Sequence, residues 1–183
     1  MDKVKVRALQ ALIGESRDRL YRVALAWCGD EMLADDLVQE AMTAGVVNIH
    51  QLKDEGRLFV WLYSILNNCW CRYLRKVKPQ VELDEQMACE NEDPVQSCHE
   101  LEIVGKVRCA VATLPKNQSQ VISLVDLEGF SYCEVAEVLE IPVGTVMSRL
   151  HRARKNLLDR LNSPVPGRVE PDRGTKKDFR IVK

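Results

Sequence analysis

The chain has 183 residues, 46% of them hydrophobic, and its 26 Lys and Arg nearly balance its 27 Asp and Glu, for a formal net charge of −1. That length allows one domain or two small ones with real cores, and no apolar run approaches what a bilayer-spanning helix needs, so a membrane-inserted class is excluded. The opening MDKVKVRALQ lacks the apolar centre of a secretory signal, and the seven cysteines at 28, 69, 71, 89, 98, 109 and 133 form no even disulfide framework, so a cytoplasmic protein with reduced thiols is expected.

From Leu9 to Lys78 the pattern is helical almost throughout. Leu20, Val23, Ala24 and Trp27 mark one helix that ends near Gly29, and Asp30 is placed to cap the next. That next helix, Glu31 to about Val47, carries Leu33, Leu37, Ala41 and Ala44 on one side and leaves Asp36, Gln39 and Glu40 on an acidic, amide-bearing surface. A long helix follows from about Gly56 to Lys76. Its inner face holds Leu58, Leu62, Ile65, Leu66, Cys69 and Tyr73, and its outer face holds Trp61, Asn68, Arg72 and Arg75. An aromatic ring, an amide and cations on one face suit single-stranded nucleic acid: the ring stacks on a base, the amide reads its edge and the cations hold phosphate. The competing reading makes Trp61 a core residue.

Pro79 to Gly105 contains eight Asp or Glu and no Lys or Arg, with Pro79 and Pro94 inside it and little apolar periodicity, and reads as an acidic linker. Val104, Val107, Val111 and Leu114 open a second helical group. Within it, Ser131 and Glu134 form a capping box at the start of a helix whose Val135, Val138 and Leu139 face inward. Pro142 forces a break at Glu140 to Pro142. Gly144 and Thr145 then open a helix with Val146, Leu150 and Leu157 on its buried stripe and Thr145, Ser148, Arg149, Arg152 and Lys155 on the other side. A helix, a tight turn and a helix with a cationic outer face is the pattern of a DNA-reading helix-turn-helix. After Leu161, the proline- and glycine-bearing SPVPGRVEPDRGTKKDFRIVK reads as a mobile tail.

The fold class expected is all-α, with two small helical domains joined by an acidic linker: residues 1–78, a linker over 79–103, 104–162 containing the helix-turn-helix, and a tail over 163–183. No glycine loop that cradles phosphate, no HExxH and no nucleophile elbow is present, and His50, His99 and His151 stand apart, so no enzyme, catalytic residue or cofactor is expected. Cys89, Cys98, His99 and Cys109 lack the close ligand pairs of a zinc site, so no metal is expected, and no neighbouring residue signals a lowered thiol pKa for a redox role.

Three segments in order, LADDLVQEAM, FVWLYSILNNCWCRYLRK and LPKNQSQVISLVDLEGFSYCEVAEVLEIPVGTVMSRLHRAR, resemble the extracytoplasmic-function (ECF) sigma factors of bacterial RNA polymerase, and the resemblance runs from about Arg19 to Leu161. It implies a first domain equivalent to sigma region 2 and a second equivalent to region 4. Asp35, Asp36, Gln39 and Glu40 are then expected to contact the clamp helices of the core polymerase. Trp61, Asn68, Arg72, Arg75 and Lys76 fall in the segment that melts and reads the −10 promoter element, with Asn68 nearest the flipped base. Ser64 and Leu66 depart from the Arg and Ala of many relatives, and the Cys69 to Cys71 run is unusual. Gly144, Thr145, Ser148, Arg149 and Arg152 are expected to face the −35 element, with Arg154 and Lys155 on phosphates or the polymerase flap. An anti-sigma factor is the implied regulatory partner. The alternative class is a stand-alone helix-turn-helix regulator that binds duplex DNA without polymerase.

Overall fold

The computed structural model describes residues 3–77, 105–107 and 110–162; the linker, the tail and Cys89, Cys98, His99 and Cys109 lie outside the described residues. Within them every regular element is helical. The N-terminal half holds α1 (Lys3–Glu15), α2 (Arg17–Cys28), α3 (Glu31–Val47) and α4 (Leu58–Val77), with single 3₁₀ turns at Ile49–Gln51 and Glu55–Arg57 between the last two. In the C-terminal half, helical residues at 105–107 and 110–112 precede α5 (Lys116–Ile122), a π-helical turn over Ser123–Leu127, α6 (Tyr132–Leu139) and α7 (Val143–Asn162).

Local chemistry sets these boundaries. Gly29 takes φ 70° and its N–H donates to the Leu25 carbonyl at 2.8 Å, which closes α2. Asp30 then accepts from the Leu33 amide at 2.8 Å and starts α3. Asp54 accepts from the Gly56 amide at 2.9 Å ahead of α4, so the chain enters that helix through a 3₁₀ turn and α4 proper begins at Leu58, two residues later than the periodicity implies. At α6, the Ser131 hydroxyl accepts from the Glu134 amide and the Glu134 carboxylate accepts from the Ser131 amide at 2.8 Å, which is the expected capping box. Glu140 ends α6 in the left-handed region at φ 54°, and Pro142 leads into α7.

The expected inner face of α4 is buried at Leu58, Leu62, Leu66 and Cys69, with Ile65 and Tyr73 partly covered. This face meets α3, where Gly45 permits the close approach: a Cβ there would lie 2.9 Å from Leu62 Cδ1. A second flank of α4 is buried as well, at Val60, Tyr63, Asn67 and Trp70. This spacing of three and four residues forms a stripe beside the first, and it faces the C-terminal half. The two halves share one continuous hydrophobic core.

The seam between them is specific. Asn67 Nδ2 donates to the Val138 carbonyl at 3.2 Å, and its Oδ1 accepts from Gln120 Nε2 at 2.9 Å. Trp27 Nε1 donates to Ser123 Oγ at 2.8 Å, and the Tyr63 and Phe130 rings meet edge to face at 5.2 Å. Glu128, its side chain 1% exposed, pairs with Arg19 at 2.8 Å and lies 3.9 Å from Arg22. Burial first, then the Glu128 carboxylate beside it, pushes the Tyr63 hydroxyl far above the usual tyrosine range. Arg57 pairs with Glu137 at the rim.

Two measurements check this packing. Gly45→Val is expected to lower the thermal midpoint far more than Gly45→Ala, because only the smaller side chain can be met by a shift of the flexible Leu62 terminus; equal losses would contradict the close approach. Ser131→Ala is expected to cost about 1 kcal/mol at neutral pH. The Ser131 bonds hold the Glu134 carboxyl below its usual range, so the stabilisation is present above that range and is lost as pH falls through the lowered value. A stability gap between the two proteins that stays undiminished near about pH 2 would contradict this assignment.

Candidate nucleic-acid and polymerase interface

Three outward faces carry the residues singled out in the sequence. On α3, burial of Ala34, Leu37, Val38, Ala41 and Gly45 turns Asp36, Gln39 and Glu40 to solvent on one side. Met32, 82% exposed, and Val47, 65% exposed, extend that side at its two ends, so the face is acidic with apolar flanks. Asp35 stands apart from this trio, half-buried and paired with Arg17 at 2.6 Å.

The outer face of α4 keeps Trp61, Asn68, Arg72 and Arg75 together. Trp61 is half-buried, so its ring is neither a core residue nor fully free, and Asn68, Arg72, Arg75 and Lys76 are exposed. The two adjacent asparagines divide: Asn68 faces out, and Asn67 is locked into the seam. Arg72 does not stand clear for a phosphate. It pairs with Glu40 at 2.5 Å and so ties the α3 face to the α4 face. Arg75 Nε donates back to the Cys71 carbonyl at 3.3 Å, which lays its guanidinium along the helix.

In the helix-turn-helix, Val146, Leu150 and Ala153 are buried, and Gly144, Ser148, Arg152 and Lys155 are exposed on the opposite side of α7, with Thr145 and Arg149 half-buried on its flank. Arg152 Nε donates to the Ser148 carbonyl at 3.2 Å, and the Ser148 hydroxyl donates to the Thr145 carbonyl at 3.1 Å, so the outward groups brace one another. Arg154 turns away from this face. It makes a two-pronged bond to Asp126 at 2.6 and 3.2 Å, and those bonds raise its pKa further. Its charge braces α7 against the π-helical turn, so the guanidinium expected on phosphates or the flap is held by Asp126 in this form. His151 is exposed.

Sequence reasoning missed Asn67, Trp27 and Glu128 as polar groups of the seam. The stripe of Val60, Tyr63, Asn67 and Trp70 was the available signal for the first. Among the described residues no group of three or more His, Cys, Asp or Glu is placed to hold a metal ion, and no helix is long and apolar enough to cross a membrane.

The geometry thus presents an acidic face, an aromatic–amide–cation face and a cationic helix-turn-helix face on one chain. The sigma-70 region 2 family matches residues 12–79, and the sigma-70 region 4 family matches residues 105–157. The chain is 30% identical over 157 residues to the ECF RNA polymerase sigma factor SigW of Bacillus subtilis strain 168, covering 79% of this chain and 84% of that protein. It is 34% identical over 140 residues to the ECF RNA polymerase sigma factor EcfG of Rhodopseudomonas palustris strain TIE-1, covering 75% and 76% respectively. Among solved structures, CnrH in complex with the cytosolic domain of CnrY superposes with a TM-score of 0.59 at 26% identity, covering 85% of this chain and 88% of that one. The fold is also that of the sigma factor RpoE of Bartonella quintana, solved with the anti-sigma factor NepR, at a TM-score of 0.64 and 22% identity over 87% of this chain and 95% of that one. With both sigma-70 regions present in order and relatives of this kind matched over most of their length, the chain belongs to the ECF family of RNA polymerase sigma factors.

Proposed function

We propose that this chain docks on core RNA polymerase through the α3 face, reads and melts the −10 element with the outer face of α4, and anchors the −35 element with α7. In this reading Asp36, Gln39 and Glu40 make the core contacts, and Asp35 orients the start of that face through Arg17. Trp61 stacks beside a base drawn out of the duplex, Asn68 reads its edge, and Arg75 and Lys76 hold the adjacent backbone. Arg72 exchanges Glu40 for phosphate when polymerase occupies the α3 face. Gly144, Thr145 and Ser148 bring the first turn of α7 close to the backbone, and Arg149, Arg152 and Lys155 supply base and phosphate contacts.

The observation that carries this reading is the outer face of α4. It stays open with its ring, amide and cations together although two other flanks of the helix are buried. A stand-alone duplex-binding regulator would account for residues 105–157 and leave that face, and the region 2 match, without a use. Control by an anti-sigma factor is part of the proposal, supported by structural neighbours solved with such partners or, for CnrH, with the cytosolic domain of CnrY.

Run-off transcription with purified core polymerase on a promoter library tests the class, and absence of a specific transcript from every template would overturn it. Asn68→Ala is expected to reduce promoter opening roughly tenfold or more, since a lost base contact is worth about 1–3 kcal/mol, with core affinity unchanged. Asp36→Ala with Gln39→Ala is expected to do the reverse. Lys155→Ala is expected to lower the dependence of log affinity on log salt by about one, as loss of a single phosphate contact does, with sequence preference retained; an unchanged slope would remove Lys155 from the contact set.

A further inference from the structure

The polar side chains of α7 have been given contacts with DNA, and the exposed apolar ones at its start have none. Met147 is 53% exposed and Val143 38% exposed, one turn apart at the beginning of the helix. At about 100° per residue, Met147 stands roughly 60° around the axis from Gly144, on the opposite side of it from Arg152, so both side chains belong to the outward arc. A long helical side chain leans toward the N-terminus and lies over the preceding turn. For Met147 that turn is Val143 and Gly144, and Gly144 has open space where a Cβ would stand, so nothing there covers the thioether. Met147 and Val143 thus put an apolar spot at the N-terminal end of α7, the end that a helix-turn-helix sends into the major groove.

We infer that Met147, backed by Val143, selects a thymine in the −35 element by covering its C5-methyl group. The inference rests on the proposed role of α7 and adds to it a base preference that the Arg, Lys and Ser side chains do not supply. The thymine methyl is the alkyl group that a base edge offers in the major groove; the other features there are hydrogen-bond donors and acceptors. A thioether and an isopropyl group answer no donor or acceptor, and pressed against a guanine or adenine edge they would displace water from a polar atom without replacing its bond. Against a methyl group they lose nothing and remove apolar surface from water. The polar neighbours are partly engaged: the Ser148 hydroxyl donates to the Thr145 carbonyl at 3.1 Å, and Arg152 Nε donates to the Ser148 carbonyl at 3.2 Å. A single exposed methionine is ordinary on a protein surface. A methionine and a valine paired at the groove-entering end of a cationic helix have a specific chemical complement.

Removal of the methyl group alone tests the assignment. Holoenzymes assembled from core polymerase and the full chain, as wild type, Met147→Leu or Met147→Gln, select templates from a promoter library randomised across the −35 element. Wild type and Met147→Leu are expected to fix a thymine at one shared position on one strand, and Met147→Gln, similar in length but polar, to release that position while keeping the rest of the element. In the selected wild-type template the thymine is then replaced by deoxyuridine, which deletes the methyl group and keeps the pairing and the O4 acceptor. Promoter binding by wild type is expected to fall about fourfold, the factor that corresponds to one buried methyl-sized group. Met147→Gln is expected to bind the thymine and deoxyuridine templates alike. Because Met147 is exposed, helical circular dichroism of the variants is expected to match wild type. Three results would overturn the inference: an element with no fixed thymine, a deoxyuridine effect as large in Met147→Gln as in wild type, or a Met147→Gln loss that is equal on every template, which would put Met147 against a protein. Any of these alongside specific wild-type transcripts removes the methyl contact alone, whereas no specific transcript from any template sinks the sigma-factor reading and the inference with it.

Discussion

Helix α4 carries three different environments around one axis, and most of what the molecule does depends on keeping them separate. Leu58, Leu62, Leu66 and Cys69 fix it against α3; Val60, Tyr63, Asn67 and Trp70 fix it against the C-terminal half; Trp61, Asn68, Arg72 and Arg75 are left outside. Each buried aliphatic or aromatic side chain contributes about 1.5–3 kcal/mol, so the two inner flanks hold the rotation of the helix firmly. A firmly held helix presents its outer groups in fixed directions. That is the condition for an exposed amide to discriminate bases and not merely bind them.

Charge is organised by the same economy of faces. Arg72 and Glu40 neutralise each other between the α3 and α4 surfaces, so the face proposed for polymerase and the face proposed for the −10 element are coupled through one exposed ion pair. Such a pair is worth little by itself in water, which makes it easy to exchange for a partner. Arg154 is different. Its paired bonds to Asp126 spend a cation on holding α7 in place and leave Arg149, Arg152 and Lys155 for the outside.

Much of this was legible in the sequence. Asp30, Gly29, Ser131 with Glu134, and Pro142 each act within a few residues of themselves, so the limits of α2, α3, α6 and α7 follow from local chemistry. The outward groupings of Asp36, Gln39 and Glu40, of Trp61 and Asn68, and of Ser148 and Arg152 follow from helical period for the same reason. The seam did not follow. A period shows that a face is buried without showing what covers it, and the cover here lies across a long acidic segment. Asn67 reads as a surface amide because polar residues usually are, and its partners Gln120 and Val138 are chosen by tertiary packing. Glu128 is hidden for the same reason, since contact with Arg19 and Arg22 from the other half explains a buried carboxylate.

In this reading one chain places a polymerase by holding two DNA elements with two different faces, one closed duplex and one opened. Footprinting of promoter DNA with the holoenzyme, combined with permanganate reactivity of unpaired thymines, tests it most directly. Two protected patches are expected about 25 base pairs apart, roughly 85 Å along the duplex, with permanganate reactivity only at the downstream one and only when polymerase is present. A single protected patch, or the same double footprint from the chain without polymerase, would contradict it.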